Sequence, residues 1–393
     1  MIRLLQNNFR QEQSSELIES FNESVSNEAL SFHKSFPGYG TTPLVKLNGL
    51  AAQLEVEKIW IKDESYRFDL NAFKVLGASH AIAKLLKKKF LADNVSLEYS
   101  LFKNEKINRL VKNETLITAT DGNHGRGVAW AANQLECNCI VYMPKSTTRA
   151  RVENIRSLGA EVIIVDGDYD HASRIARKTA LEKNFILVQD SSWDGYEEIP
   201  LWIMHGYLTI IREAFEQMQE EKPTHIFIQC GVGSLPAAVL AYLINRFGKE
   251  RPTFCVVEPE SAACVYESFL AGDGNIHSLK NEINTVMAGL ACGTPSKLAW
   301  EILRDHSDYF ITCGDETTVE GMKLLHRQTF GDHAITSGES GAVTIGLIFQ
   351  LLSDERNNGL AEQLKLNSYS KILLISTEGD TDPETYRKIL SQQ

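Results

Sequence analysis

The chain has no long hydrophobic run. The longest, 342-AVTIGLIFQLL-352, falls well short of the roughly 20 residues a membrane-spanning helix needs. Cysteine is also scarce. Seven in 393 residues, an odd count, are too few for a disulfide scaffold, and a reducing cytoplasm is the expected setting. Positive charge is in deficit: 40 Lys and Arg stand against 51 Asp and Glu, a formal net charge of -11. That balance argues against nucleic acid or an anionic membrane surface as the main partner, because both are bound largely through cationic side chains. The basic cluster KLLKKKF at 84–90 reads as the solvated end of an amphipathic helix. The opening MIRLLQNNFRQEQSSELIESF has no apolar core and no small-residue cleavage site, so no signal peptide is expected. Cys137-Asn138-Cys139 has no second pair to complete a metal site, so its thiols read as small apolar fillers and no metal is expected. No fixed-period repeat and no low-complexity segment interrupts the chain.

What is present is ordinary globular material, 43% apolar and 23% charged, with length enough for two or more domains. From about residue 58, apolar β-type runs alternate with helical patterns. KIWIKD, TLITAT, CIVYMP, EVIIVD, FILVQD, HIFIQC, PTFCVVEPE and KILLIST read as strands. LNAFKVLGASHAIAKLL, GVAWAANQL, TRARVENIRSLG, YDHASRIARKTALEK and LPAAVLAYLINRF read as helices. Repeated β-α-β order with strands apolar on both faces predicts parallel sheets covered by helices. The units are too many for one sheet. The expected fold class is therefore α/β, two three-layer domains with mostly parallel sheets, and the polar stretch 191–222 carries the chain between them. Ligands in such sheets sit at the carboxyl ends of the strands, so chemistry is sought in the strand-to-helix turns.

Three turns stand out. In 119-ATDGNHGRG-127, glycines alone would explain a tight turn, but an Asp, an Asn and a His accompany them. In 230-CGVGSLPAAV-239, Gly231, Gly233 and Ser234 let backbone N–H groups converge at a helix start, an arrangement suited to phosphate. This is not a P-loop, since no Gly-Lys-[Ser/Thr] follows, and it lacks the third glycine of the dinucleotide fingerprint. In 71-NAFKVLGASHAIAK-84, Lys74 lies at a helix start between Phe73 and Val75-Leu76, the setting an imine-forming lysine needs. A lysine among apolar neighbours, a phosphate cradle and a polar Gly-Asn turn together match the requirements of pyridoxal 5′-phosphate.

These motifs resemble the fold type II pyridoxal-phosphate enzymes, which include the threonine dehydratases and tryptophan synthase β. Ala72-Phe73-Lys74-Val75-Leu76-Gly77-Ala78 is similar to that family's Ser-Phe-Lys-x-x-Gly-Ala, and Thr120-Asp121-Gly122-Asn123-His124-Gly125-Arg126-Gly127 to its Ser-x-Gly-Asn-His-x-x-Gly. Val257-Glu258-Pro259, Gly289-Leu290-Ala291 and Ser340-Gly341-Ala342 follow in the family's order. Asp121, the segment 189-QDSSWDGYEEIP-200 and the turn 376-STEGDTDPE-384 depart from the dehydratases and resemble the diaminopropionate ammonia-lyase branch.

The resemblance implies a larger cofactor domain of residues 1–75 and 191–393, a smaller one of 76–190, and a homodimer. It implies α,β-elimination of 2,3-diaminopropionate, either enantiomer, to pyruvate and ammonia. A serine or threonine dehydratase is the alternative, followed by a non-catalytic amino-acid sensor and a dinucleotide-dependent dehydrogenase. Lys74 would hold the cofactor and act as base on one face of the substrate, with Asp121 as base on the other. Asn123 would meet the ring hydroxyl, and Gly231, Val232, Gly233, Ser234 and Leu235 the phosphate. Thr377 would face the pyridine nitrogen, with Ser376 as the alternative. Thr120, Asp121, Gly122 and His124 would line the substrate, whose carboxylate the backbone N–H groups of 122–125 would receive. Asp190, which follows a buried strand, reads equally as the partner of the substrate's β-ammonium and as a helix cap or interdomain hydrogen bond. Cys264 and Cys292 lie near two loops expected to face the active site; they read as two free thiols, with a regulatory disulfide between them as the alternative.

Overall fold

The structure is a computed structural model that describes residues 1–11, 14–92, 94–120 and 122–391. Asp121 lies outside the described residues. The described residues contain strands β1 (Arg3–Gln6), β2 (Leu44–Lys46), β3 (Lys58–Asp63), β4 (Thr115–Ala119), β5 (Asn138–Pro144), β6 (Glu161–Val165), β7 (Ile186–Leu187), β8 (His225–Gln229), β9 (Thr253–Pro259), β10 (Tyr309–Cys313) and β11 (Lys371–Ser376). By packing, the chain divides into a larger unit, residues 1–23, 41–66 and 210–393, and a smaller one, residues 24–40 and 67–209.

The larger unit holds a seven-stranded sheet in the order β1-β10-β9-β8-β11-β3-β2. Its five inner strands run parallel, and the short edge strands β1 and β2 run antiparallel. Side chains alternate between the faces of a strand. Ile59, Ile61, Phe227, Val257, Ile311, Ile372 and Leu374 pack in one core with Val343, Leu347 and Ile348 of the helix Val343–Ser353. The intervening residues Trp60, Ile226, Ile228, Val256, Phe310 and Leu373 are buried too. Both faces are therefore covered, which is why these strands read as unbroken apolar runs. From β8 the chain moves through β9 to β10 on one side, while β11 lies on the other. The ends of β8 and β11 thus flank the point where strand order reverses, the usual place for a ligand in an open α/β sheet.

The smaller unit holds a four-stranded parallel sheet, β6-β5-β4-β7. Ala172, Ala176 and Ala180 of the helix Tyr169–Lys183 pack on Ile117, Ala119, Tyr142 and Val165. The helix Val75–Phe90 packs against the helix Asn123–Leu135.

Three features differ from the sequence expectation. The stretch 191–222 is not a polar connector: residues 198–217 form the helix Glu198–Gln217, and Ile203, Met204, Tyr207, Leu208, Ile211 and Phe215 are buried. Their three- and four-residue spacing is an apolar helical stripe interrupted by polar residues. Residues 24–40, 67–75 and 191–209, which the sequence division groups with 1–75 and 191–393, pack with the smaller unit. The helix Glu23–Lys34 shows why: His33 bonds Thr209 at 2.7 Å and the Leu76 carbonyl at 3.0 Å, and Lys84 donates to Glu28 at 2.8 Å. Finally, β7 is only two residues long, although FILVQD reads as a full strand. The Val188 N–H still donates to the Ile117 carbonyl at 2.8 Å, but the Val188 carbonyl meets His124 Nε2 at 2.9 Å and the Gln189 N–H meets the Tyr196 hydroxyl at 2.9 Å.

Candidate active site

Two groups of sequence-marked residues are described, one in each unit. In the smaller unit, Lys74 caps the start of the helix Val75–Phe90 rather than lying within its first turn. Its approach segment is bent sharply, with Phe68, Asp69 and Asn71 all in the left-handed region. Such residues cost on the order of 1 kcal/mol or more each and persist only where their surroundings over-determine them. Arg126 supplies part of that restraint, donating to the Leu70 carbonyl at 2.7 Å. Gly127 supplies the room: a Cβ there would stand 3.0 Å from both Val75 Cα and Val75 N and 3.1 Å from Lys74 C. The last glycine of the opening turn therefore lets a helix lie directly against the backbone that presents Lys74. Gly125 similarly admits Thr120, whose Cγ2 would be 2.2 Å from an added Cβ.

Lys74 is not only surrounded by apolar neighbours. Its Nζ donates to Asp190 Oδ2 at 2.8 Å, and the side chains are 22% and 9% exposed. Burial works against the Asp190 carboxylate, but the charges of His124 and Lys74 and the Lys74 hydrogen bond outweigh it and hold this carboxyl well below the usual range. His124 Nδ1 stands 3.7 Å from the same oxygen. Because Nε2 faces the Val188 carbonyl, an acceptor only, Nε2 carries a hydrogen. His124 is thus a buried bolt between the helix Asn123–Leu135 and the end of β7, beside Asp190. Asp190 itself is positioned by its neighbour Gln189, which accepts from Thr118 Oγ1 at 2.8 Å and Ala119 N at 3.2 Å and donates to the Ala119 carbonyl at 3.0 Å.

Thr120 is buried, and its hydroxyl oxygen accepts from the backbone N–H groups of Gly122 at 3.0 Å and Gly125 at 3.2 Å. The sequence reading offers the N–H groups of 122–125 to a substrate carboxylate. Two of the four, those of Gly122 and Gly125, are already turned onto Thr120. Asn123 is the first residue of its helix, with Gly122 at the cap.

In the larger unit, Gly231, Val232 and Gly233 lead from β8 into the helix Ser234–Phe247. Gly233 has φ +99°, a conformation glycine adopts without penalty, and an added Cβ would stand 2.9 Å from Ala299 Cβ. The first N–H groups of a helix lack partners within it, and the positive end of the helix dipole points the same way. Ser234 and Leu235 occupy that first turn, with Pro236 placed where a missing N–H costs little. At the neighbouring strand end, Thr377 Oγ1 accepts from Gln229 Nε2 at 2.9 Å, while Ser376 Oγ bonds Ser337 Oγ at 2.8 Å. Cys264 and Cys292 are free thiols, and both approach Gly231: Cys264 Sγ is 3.7 Å from its carbonyl oxygen, and Cys292 Sγ 3.2 Å from the position of an added Cβ.

Each unit carries donors suited to part of pyridoxal 5′-phosphate: the smaller a primary amine with a buried counter-charge, the larger an anion-receptive helix start and a neutral hydroxyl at the adjoining strand end. Sequence reasoning missed Gln229. Its only signal is a polar residue closing the apolar strand HIFIQ.

Comparison with known proteins agrees. Residues 35–359 match the family described as pyridoxal-phosphate dependent enzyme. A diaminopropionate ammonia-lyase of Salmonella typhimurium is 45% identical over 373 residues, 94% of this chain and 92% of that protein. Its counterpart from Escherichia coli K12 is 44% identical over 372 residues, again 94% and 92%. The crystal structure of the Escherichia coli enzyme in complex with an aminoacrylate-PLP azomethine reaction intermediate superposes with a TM-score of 0.90 at 42% identity, covering 100% of this chain and 97% of that one. A threonine deaminase from Solanum lycopersicum shares the fold at a TM-score of 0.74 and 20% identity, covering 100% of this chain and 98% of that one.

Proposed function

The chain belongs to the pyridoxal-phosphate-dependent enzymes and, among them, to the diaminopropionate ammonia-lyases, and from that membership we propose its reaction in detail. It is a carbon–nitrogen lyase that eliminates one ammonia from 2,3-diaminopropionate; the released aminoacrylate then takes up water and hydrolyses to pyruvate and a second ammonia. Bound pyridoxal 5′-phosphate supplies the electron sink that makes the α-proton removable.

The chain's own residues do the rest. Lys74 anchors the cofactor through its amine and, when released, takes the α-proton on its side of the substrate. Gly231, Val232, Gly233, Ser234 and Leu235 hold the phosphate, Asn123 the ring hydroxyl and Thr377 the ring nitrogen. Asp190 holds the substrate's β-ammonium until it leaves as ammonia, and the turn from Thr120 to His124 takes the carboxylate end. Asp121 takes the α-proton of the D-enantiomer, because one base cannot reach both sides of an anchored substrate. The chain acts as a homodimer in the cytoplasm, the setting its low cysteine count favours.

The observation that carries the substrate is the ionised, buried Asp190 beside Lys74. A fixed negative charge complements a leaving group that arrives as ammonium, which a hydroxy amino acid does not offer. Pyruvate release should be measured from D- and L-diaminopropionate, L-serine and L-threonine. Diaminopropionate is expected to lead. A lead for serine or threonine would assign the chain to the dehydratases instead. Asp121→Asn is expected to lower D-diaminopropionate turnover by ~10²–10⁴-fold, the range of a lost general base, with a much smaller effect on the L-enantiomer. Equal losses would give Asp121 a shared binding or capping role.

A further inference from the structure

Gln229 closes β8 with its side chain buried, at 2% exposure. Its Nε2 donates to the Ile375 carbonyl at 2.9 Å and to Thr377 Oγ1 at 2.9 Å. Its Oε1 is buried with no hydrogen-bond partner among the described residues. The Ile375 carbonyl, an acceptor only, fixes which way the amide faces. Reversing it would set two carbonyl oxygens, its own and that of Ile375, against each other. Both hydrogens are therefore used, and Thr377 is an acceptor toward Gln229. The single hydrogen of the Thr377 hydroxyl must then point away from Gln229. A hydroxyl whose oxygen accepts a hydrogen bond is also the stronger donor, because bonds in a chain polarise one another. Ser376, one residue earlier, takes no part in this chain, since its hydroxyl bonds Ser337.

We propose that Gln229 is a positioning residue that sets the direction of the Thr377 hydroxyl, making it a donor to the pyridine nitrogen and so holding that nitrogen unprotonated. The proposal rests on the reading above that Thr377 faces the ring nitrogen. The hydrogen bonds run Gln229 to Thr377 to ring nitrogen, all in one sense. A hydroxyl alone is indifferent, able to donate to a bare nitrogen or accept from a protonated one. Gln229 removes that indifference from outside the ring's own contacts, and a buried amide does so without adding a charge.

The test uses the holoenzyme carrying cofactor labelled with ¹⁵N at the ring nitrogen, with its resonance followed against pH by nitrogen NMR. In the unmodified enzyme the resonance should stay that of an unprotonated pyridine through neutral pH. Gln229→Met keeps the length of the side chain and removes both donors. The ring nitrogen should then titrate about one pH unit higher, the scale of one hydrogen bond. Thr377→Val should move it as well. In the Thr377→Val background, Gln229→Met should add nothing, since its effect passes through that hydroxyl. A shift that persists in the double variant, or no shift in Gln229→Met while Thr377→Val moves the resonance, overturns the proposal alone. No shift in Thr377→Val overturns the placing of Thr377 at the ring nitrogen, and the proposal with it. Failure of the chain to develop an enzyme-bound imine absorbance would overturn the cofactor reading itself. If Gln229→Met does not fold, Gln229→Asn carries the same test, because its shorter amide cannot reach both partners; it should shift the titration in the same direction, and an unmoved resonance would count against the proposal.

Discussion

Asp190 in the smaller unit and Glu258 in the larger are both buried carboxyls at the end of a strand region, at 6% and 0% exposure, and they are driven in opposite directions. Around Asp190, burial is outweighed by His124 and Lys74, and the group is held ionised. Around Glu258, burial prevails over the N–H groups of Val265 at 2.9 Å and Tyr266 at 2.7 Å, and the carboxyl is pushed up to about 8. Burial alone therefore does not say what a carboxyl is for. A counter-cation within reach makes one of them a fixed charge. Two neutral donors at the start of the helix Cys264–Ala271 leave the other an uncharged cap at neutral pH.

The sharpest way to break the contrast is to take the cation from Asp190. Lys74→Met should lower pyruvate release by at least ~10⁴-fold, the upper end of what a lost general base explains, because the anchoring amine goes as well. Borohydride should leave the cofactor on the peptide holding Lys74 in the unmodified enzyme and on none in the variant. Label on another lysine would move the site elsewhere.

Next in size is Asp190→Asn, which keeps the shape and removes the charge. KM for diaminopropionate should rise by roughly 10–100-fold, matching one hydrogen bond to a charged group, about 1.5–3 kcal/mol. Turnover of serine, which has no β-ammonium, should change much less. Equal losses on both substrates would confine Asp190 to restraining Lys74.

The smallest effect is on stability alone and compares the two carboxyls by pH. The folded state lowers the pKa of Asp190, so its contribution is present above the unfolded value of about 3.9 and is lost as pH falls through the lower folded value. Glu258 has the opposite sign. Between its ordinary value of 4.5 and about 8, the folded chain keeps a proton that the unfolded chain has released, so stability falls as pH rises through that window. Glu258→Gln should remove that slope, at most about 1.4 kcal/mol per pH unit. Melting temperatures of the two proteins between pH 5 and pH 8 measure it. The slope is the readout, since an amide facing two N–H donors also shifts the whole curve. Parallel curves would mean that Glu258 is ionised like Asp190.

Much of the fold is legible along the chain, because a strand buried on both faces must be apolar throughout. KIWIKD and KILLIST coincide with β3 and β11, and YDHASRIARKTALEK with the helix Tyr169–Lys183. The edge strands β1 and β2 are too short and too exposed to carry such a signal. YFITC at 309–313 is not among the runs that read as strands, although it pairs with β9 throughout. Around the site, Lys74 and the glycine turns are visible as local patterns. The partner of Lys74 lies 116 residues away, and that of Thr377 lies 148 away. No local pattern links positions so far apart.

By itself, then, the sequence determined the alternation of strands and helices, the presence of an amine at a helix start, and the glycines at two turns. These follow from periodicity and from backbone sterics within a few residues. Only the tertiary structure decided that Gly127 makes room for the backbone of Lys74, that Asp190 is a charge while Glu258 is a neutral cap, and that Gln229 orients the Thr377 hydroxyl. Each of these depends on which groups from distant parts of the chain come within about 3–4 Å in a medium that water does not screen, where a single neighbour settles the ionisation of a carboxyl or the direction of a hydroxyl.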